Sequence, residues 1–100
     1  MKTILLACNA GMSTSLLVQK MQAEAKAQGL DVTIEASPLA QALDKVADAD
    51  ILMLGPQIKY AMSEAEEAAG SVPVTVIAMA DYGRMNAKKI LADAYQIMGE

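Results

Sequence analysis

Cys8-Asn9-Ala10-Gly11-Met12-Ser13-Thr14-Ser15 joins two segments of opposite character. Before it runs Ile4-Leu5-Leu6-Ala7, continuous and apolar, so residues 3–7 have the pattern of a strand buried on both faces. After it, Leu17, Met21 and Ala25 recur every fourth residue with Val18 beside them, while Gln19, Lys20, Gln22, Glu24 and Lys26 take the remaining positions. That spacing predicts an amphipathic helix over 14–28, stopped by Gly29. The only cysteine thus stands where a strand ends, and a small-residue loop delivers the chain to a helix N-terminus. The first amides of a helix lack intrahelical partners, and with the positive end of the helix dipole they form a site for an anion. The same field favours thiolate, the nucleophilic form of cysteine.

Residues 8–15 therefore read as a cysteine nucleophile, Cys8, beneath a phosphate cradle made by Asn9, Ala10, Gly11, Met12, Ser13, Thr14 and Ser15. Small side chains let backbone donors come close, and Gly11 permits a conformation that turns N–H groups inward. The hydroxyls of Ser13, Thr14 and Ser15 add donors to a phosphate or cap the helix. Met12 belongs to the loop by position, but its side chain offers packing or a contact for a partner. In a strand without this context, a free cysteine is an ordinary small core residue.

Outward from the loop, strands and helices alternate. Val32, Ile34 and Ala36 alternate with Asp31, Thr33 and Glu35, the pattern of a half-exposed edge strand over 31–36. Ser37-Pro38 reads as N-cap and first residue of a short helix whose Leu39, Ala42, Leu43 and Val46 face inward. Residues 51–54, Ile-Leu-Met-Leu, form a second central strand, broken by Gly55-Pro56. A helix over 57–69 follows, with Ile58, Ala61, Met62 and Ala65 buried and Gly70 at its end. Residues 72–78 form the fourth strand, with Pro73 suited to an edge. Asp81-Tyr82-Gly83-Arg84 is a loop, and Asn86 caps a last helix striped by Ile90, Leu91, Ala94, Ile97 and Met98. The alternation gives an α/β fold: an open four-stranded parallel sheet, order 2-1-3-4, with helices on both faces. Ligands of such sheets sit beyond the carboxyl ends of the strands, where loop 8–15, Gly55-Pro56-Gln57 and Asp81-Tyr82-Gly83 all emerge.

The bulk properties narrow the classes of function. One hundred residues suit a single domain spanning 1–100, and Met1 with a full set of elements suits a free-standing chain. The apolar fraction is 54%, yet Phe and Trp are absent, which argues against aromatic platforms for single-stranded nucleic acid. Net charge is −4 without a Lys/Arg cluster, so nucleic acid is not an expected partner. No apolar run approaches the ~20 residues of a membrane span, no signal peptide opens the chain, and a lone cysteine excludes an internal disulfide. A cytoplasmic location is expected, with neither metal nor cofactor. Histidine is absent, so any histidine donor of a phosphoryl group lies on a partner.

The loop Cys8-x-x-Gly11-Met12-Ser13-Thr14-Ser15 after the first strand resembles the active-site loop of enzyme IIB of the sugar phosphotransferase system, in its lactose/cellobiose (diacetylchitobiose) family. Gly55-Pro56-Gln57-Ile58-x-Tyr60 and Tyr82-Gly83-x-x-Asn86 fit the same family in order and spacing, so the resemblance spans essentially the whole chain. It implies a phosphoryl carrier, a protein-phosphohistidine–sugar phosphotransferase. Cys8 would accept phosphate from a phosphohistidine of the IIA component and pass it to a sugar on the membrane IIC component. The sugar would be a β-linked disaccharide such as cellobiose, chitobiose or lactose. The carrier is expected to be a monomer, peripheral to the inner face of the membrane when docked on IIC, with overlapping IIA and IIC surfaces around one sulfur.

Small tyrosine phosphatases and arsenate reductases have a related loop, with arginine six residues after the cysteine; here that position is Thr14, and no Lys or Arg lies between Cys8 and Lys20. Without a guanidinium the charge-assisted clamp on a transition state is missing, which suits transfer better than hydrolysis. A hydrolase and a non-catalytic regulatory module of the same fold stand as the alternatives. Asp81-Tyr82 resembles the general-acid loop of those phosphatases, although a loop Asp is more commonly a turn former. Gln57 and Tyr82 are candidates for touching the phosphate or shaping a docking surface.

Overall fold

A computed structural model of the chain describes residues 2–8 and 12–99, and for 12–14 it describes the backbone alone. The elements in order are β1 (Lys2–Cys8), α1 (Met12–Ala27), β2 (Val32–Pro38), α2 (Leu39–Lys45), a 3₁₀ turn (Val46–Asp48), β3 (Ile51–Leu54), a 3₁₀ segment (Pro56–Ala61), α3 (Met62–Ala69), β4 (Val74–Val76), α4 (Met79–Gly83) and α5 (Ala87–Met98). The strands form one parallel sheet in the order β2-β1-β3-β4. The strands that carry the uninterrupted apolar runs Ile4–Ala7 and Ile51–Leu54 are thus the central ones, as continuous burial on both faces demands.

Because successive side chains of a strand point to opposite faces, the sheet divides its core in two. Ile4, Leu6, Ile34, Ile51 and Met53 pack with Leu17, Met21 and Ala25 of α1 and with Ile90, Leu91 and Ala94 of α5. Leu5, Ala7, Leu52 and Leu54 pack on the other face with Ala42 of α2, Val46, Ile58 and Ala65 and Ala69 of α3. At the amino-terminal edge Thr3 and Asp50 are tied reciprocally: Thr3 N–H donates to the Asp50 carboxylate at 2.7 Å and Asp50 N–H donates to Thr3 O at 2.9 Å.

Five expectations are corrected. Ser37-Pro38 does not open a helix; both residues end β2. Lys2 N–H donates to Asp31 O, so by alternation Ile34 and Pro38 turn their backbone groups away from β1. An edge strand tolerates proline there, and the outward Ile34 carbonyl accepts from Gln22 Nε2 at 2.9 Å, which blunts the edge against foreign strands. The helix over 57–69 is two pieces, because Ile58 leaves helical geometry (φ −120°, ψ 26°) and Pro56–Ala61 tightens to 3₁₀. That stacks Ile58 and Ala61, three apart, on the buried side. β4 is only Val74–Val76, although Pro73 O and Ile77 N still bond to Leu52 and Leu54 of β3. Residues 81–83 are helical, within α4, rather than a loop. Ile97 is 43% exposed, while Met98 beside it still packs against the α1–α5 core. Asn86 caps α5 as expected, its Oδ1 accepting from Lys89 N–H at 3.3 Å.

Candidate active site

Cys8 is the last residue of β1 and sits in register with Pro38 of β2. It is 5% exposed, and its thiol donates to the Ser37 carbonyl at 3.7 Å. Ser37 is itself buried, and its hydroxyl accepts from Lys45 Nζ at 3.1 Å; Lys45 in turn lies 3.8 Å from the Glu35 carboxylate. These two support residues escape a reading of the sequence. Ser37 beside Pro38 reads as a helix cap, and only strand register shows its carbonyl beside the sulfur.

α1 starts at Met12, two residues earlier than its periodicity indicates, and runs for 16 residues. Met12, Ser13, Thr14 and Ser15 therefore form its first turn, whose amides are the ones that an intrahelical ladder leaves free. Ser13–Ser15 thus lie inside the helix, beyond the capping position, and Ser15 is exposed. Asn9, Ala10 and Gly11 fall outside the described residues, as do the side chains of Met12, Ser13 and Thr14.

The neighbouring strand supplies the second wall. Gly55 N–H donates to Ala7 O at 3.0 Å, which brings the end of β3 against the residue before Cys8. Gly55 has ordinary extended geometry (φ −62°, ψ 151°), so space rather than conformation is what calls for glycine here. A Cβ at this position would lie 3.0 Å from Gln57 Oε1, 3.6 Å from Ala7 O and 3.8 Å from Tyr82 Cε2. Gln57 and Tyr82 therefore converge on one carbon-sized space beside Ala7. Gln57 is exposed, and Tyr82 is half-buried against the α1–α5 core.

Asp81 is occupied elsewhere. Its carboxylate, 18% exposed, lies 3.7 Å from Lys89 Nζ of α5, which also donates to Asp93 at 2.8 Å. The hydrogen bond and charge of Asp93, aided by Asp81, hold the Lys89 ammonium above its ordinary value. The Asp81 side chain thus pairs with α5. Among the described residues no three His, Cys, Asp or Glu side chains gather as a metal site, and no helix is long and apolar enough to cross a membrane.

A cysteine at the end of a central strand, the N-terminus of a 16-residue helix close behind it and the turn after β3 beside it leave a donor-rich edge that could seat an anion. Comparison with known proteins agrees. The family model for the phosphotransferase (PTS) system, lactose/cellobiose specific IIB subunit, matches residues 3–93. The galactose-specific EIIB component of Lactococcus lactis subsp. cremoris (strain MG1363) is 44% identical over 104 aligned positions, covering 97% of this chain and 96% of that protein. The oligo-beta-mannoside-specific EIIB component of Bacillus subtilis (strain 168) is 40% identical over 100 positions, covering 98% and 97%. The solution structure of the cellobiose-specific IIB component from Borrelia burgdorferi superposes with a TM-score of 0.81 at 36% identity, over 98% of this chain and 92% of that one. The lactose-specific IIB domain from Streptococcus pneumoniae shares the fold, with a TM-score of 0.80 at 16% identity over 96% of each chain. From strand order to the Cys8 loop, the chain belongs to the lactose/cellobiose-specific IIB subunit family of the sugar phosphotransferase system.

Proposed function

We propose that Cys8 is the phosphoryl carrier of this IIB subunit. The observation that carries the reading is the placement of Cys8 at the carboxyl end of central strand β1, four residues before Met12 opens α1. The sulfur, as thiolate, attacks the phosphorus of a phosphohistidine on a IIA component; the S–P bond forms, the P–N bond breaks, and the electron pair returns to the imidazole. In the second step a sugar hydroxyl held by a membrane IIC component attacks the same phosphorus; the O–P bond forms, the S–P bond breaks, the thiolate leaves, and the hydroxyl proton passes to solvent. Both are in-line displacements, in which positioning and electrostatic stabilisation do most of the catalysis. The donors are the first-turn amides of α1 and the loop residues Asn9–Ser15, with Gln57 and Tyr82 bordering the approach.

The sugar is a β-linked disaccharide, a reading supported by the cellobiose named for the Borrelia burgdorferi structure and the oligo-beta-mannoside named for the Bacillus subtilis relative; transfer to galactose, named for the Lactococcus lactis relative, in preference to such disaccharides would contradict it. The subunit works as a monomer on the cytoplasmic side, and meets IIA and IIC alternately because both must reach one sulfur. The test is labelling by a phosphorylated lactose/cellobiose-type IIA. Wild type takes up one phosphoryl group; Cys8→Ala stays folded and takes up none. Labelling of a folded Cys8→Ala protein refutes the assignment, and steady release of inorganic phosphate by wild type would make the subunit a hydrolase.

A further inference from the structure

Single exposed apolar side chains are ordinary, so it is their placement that carries information. Among the described residues four large ones face solvent: Tyr60 (77% exposed), Met79 (69%), Leu16 (45%) and Ile97. Ile97 lies in the last turn of α5. The other three come from three separate elements that leave the carboxyl edge of the sheet: Leu16 one turn into α1, Tyr60 in the 3₁₀ segment after β3, and Met79 at the start of α4 after β4. Charge follows the same division. The strand-to-helix crossings at this edge lie within residues 3–19, 36–43, 51–58 and 68–80, and none of these stretches holds Asp, Glu, Lys or Arg, in a chain that is 20% charged. The opposite edge carries Lys2, Asp31, Asp48 and Asp50. Lys45, which reaches Ser37 from α2, is paired with Glu35, and Asp81 with Lys89; Lys59 beside Tyr60 is an exposed cation on the rim.

We propose that Tyr60, Met79 and Leu16 form an apolar rim on which the phosphorylated IIA component docks, held by buried apolar contact and not by charge. The Cys8 sulfur belongs to a residue only 5% exposed, so a donor that brings phosphorus to bonding distance must lay its own surface over this edge. A second copy of this chain cannot be that donor, because the chain has no histidine. The IIC component meets the edge only after loading, when the phosphoryl group has made it anionic; IIA meets it uncharged. Aromatic and methionine side chains are the anchors that such interfaces favour, and a few of them carry most of the affinity. Attraction between exposed charges fades with salt, whereas burial of apolar surface does not, so docking here is insensitive to ionic strength. The inference rests on the carrier role of Cys8, and the experiment therefore reads docking without transfer.

Phospho-IIA is titrated calorimetrically into Cys8→Ala protein, which cannot accept the phosphoryl group, and into the same protein carrying Tyr60→Ser, Met79→Gln or the control Ile97→Gln. All three side chains are largely in solvent, so each variant melts as its parent does. Tyr60→Ser weakens Kd on the order of tenfold and Met79→Gln by about threefold or more, while Ile97→Gln stays within about twofold. Between about 0.05 and about 0.5 M NaCl the parent Kd moves less than about twofold. In chains that retain Cys8, Tyr60→Ser raises the KM for labelling by a similar factor and leaves the saturating rate within about twofold. Absence of binding, or an unchanged Kd in both Tyr60→Ser and Met79→Gln, would overturn the proposal, as would a steep loss of affinity with salt. Slower discharge to IIC-bearing membranes with an unchanged Kd for IIA would give the rim to IIC, and a wild-type dimer that Tyr60→Ser dissociates would give it to a second copy; either result overturns the assignment. If wild-type Cys8 takes no phosphoryl group, the carrier reading fails instead, while the calorimetry still decides whether the rim docks IIA.

Discussion

Gly55→Ala separates the demands of the site from those of the fold. The added methyl meets ordinary van der Waals neighbours at 3.6 Å (Ala7 O) and 3.8 Å (Tyr82 Cε2), and one tight neighbour, Gln57 Oε1 at 3.0 Å. The tight contact is the far end of an exposed, flexible side chain, which can rotate away by a few tenths of an ångström at a cost of about 0.5–1.5 kcal/mol if it leaves its rotamer well. Against this, alanine restricts the unfolded chain and returns about 0.4–1 kcal/mol, because the backbone here (φ −62°, ψ 151°) suits any residue. The two terms nearly cancel, so stability changes by less than about 1 kcal/mol, a melting shift within roughly 4–8 °C for a domain of this size. Transfer has no such compensation. With the Gln57 amide displaced and the space beside Ala7 filled, labelling of Cys8 by phospho-IIA slows on the order of tenfold. Urea titration and initial-rate labelling on the same sample check both halves. A loss of 3 kcal/mol or more would show that the space is a packing constraint, and an unchanged rate would remove Gln57 and the Gly55 gap from the site.

Three further outcomes test the frame around the site. Leu52 is fully buried between β1, β4 and the α3 layer, so Leu52→Ala costs about 2–5 kcal/mol by urea denaturation, and a smaller loss would mean that the layer collapses onto the cavity. Asn86→Ala removes the acceptor for Lys89 N–H and lowers stability by about 1 kcal/mol, with Asn86→Ser recovering most of it; equal stability of all three proteins contradicts the cap. The Lys89 ammonium is held above its ordinary 10.5 in the folded state, so its stabilisation is complete below that value and is lost as pH rises through the folded value. The stability difference between wild type and Lys89→Met is therefore constant from neutral pH up to about 10 and shrinks only beyond it; shrinkage already at pH 8 would refute the pairing.

What the sequence conveys best are features written in local periodicity. Ile4–Ala7 and Ile51–Leu54 are apolar without interruption and prove to be the central strands, and Val32-Thr33-Ile34-Glu35 alternates and lies at an edge. Cys8 between a strand and a helix start is likewise local information. What stays hidden depends on contacts distant in the chain. Ser37 finds the sulfur through strand register, 29 residues from Cys8, and Lys45 reaches Ser37 from the end of α2. Asp81 looks like an exposed turn former until α5 brings Lys89 to it. Local propensity misleads where burial overrides it: Ile58 breaks the helical pattern in order to enter the core, and Pro38 extends an edge strand when its missing N–H would have faced outward in any case.

The measurement that bears most directly on the role of Cys8 is the intact mass and mapped site of the subunit after incubation with a phosphoryl donor chain ending in a lactose/cellobiose-type IIA, followed by addition of IIC-bearing membranes and sugar. A Cys8 carrier takes up one phosphoryl group, on Cys8, that persists until membranes and a β-linked disaccharide are supplied and then leaves as sugar phosphate. An adduct on any other residue, or free phosphate appearing in place of an adduct, would contradict it.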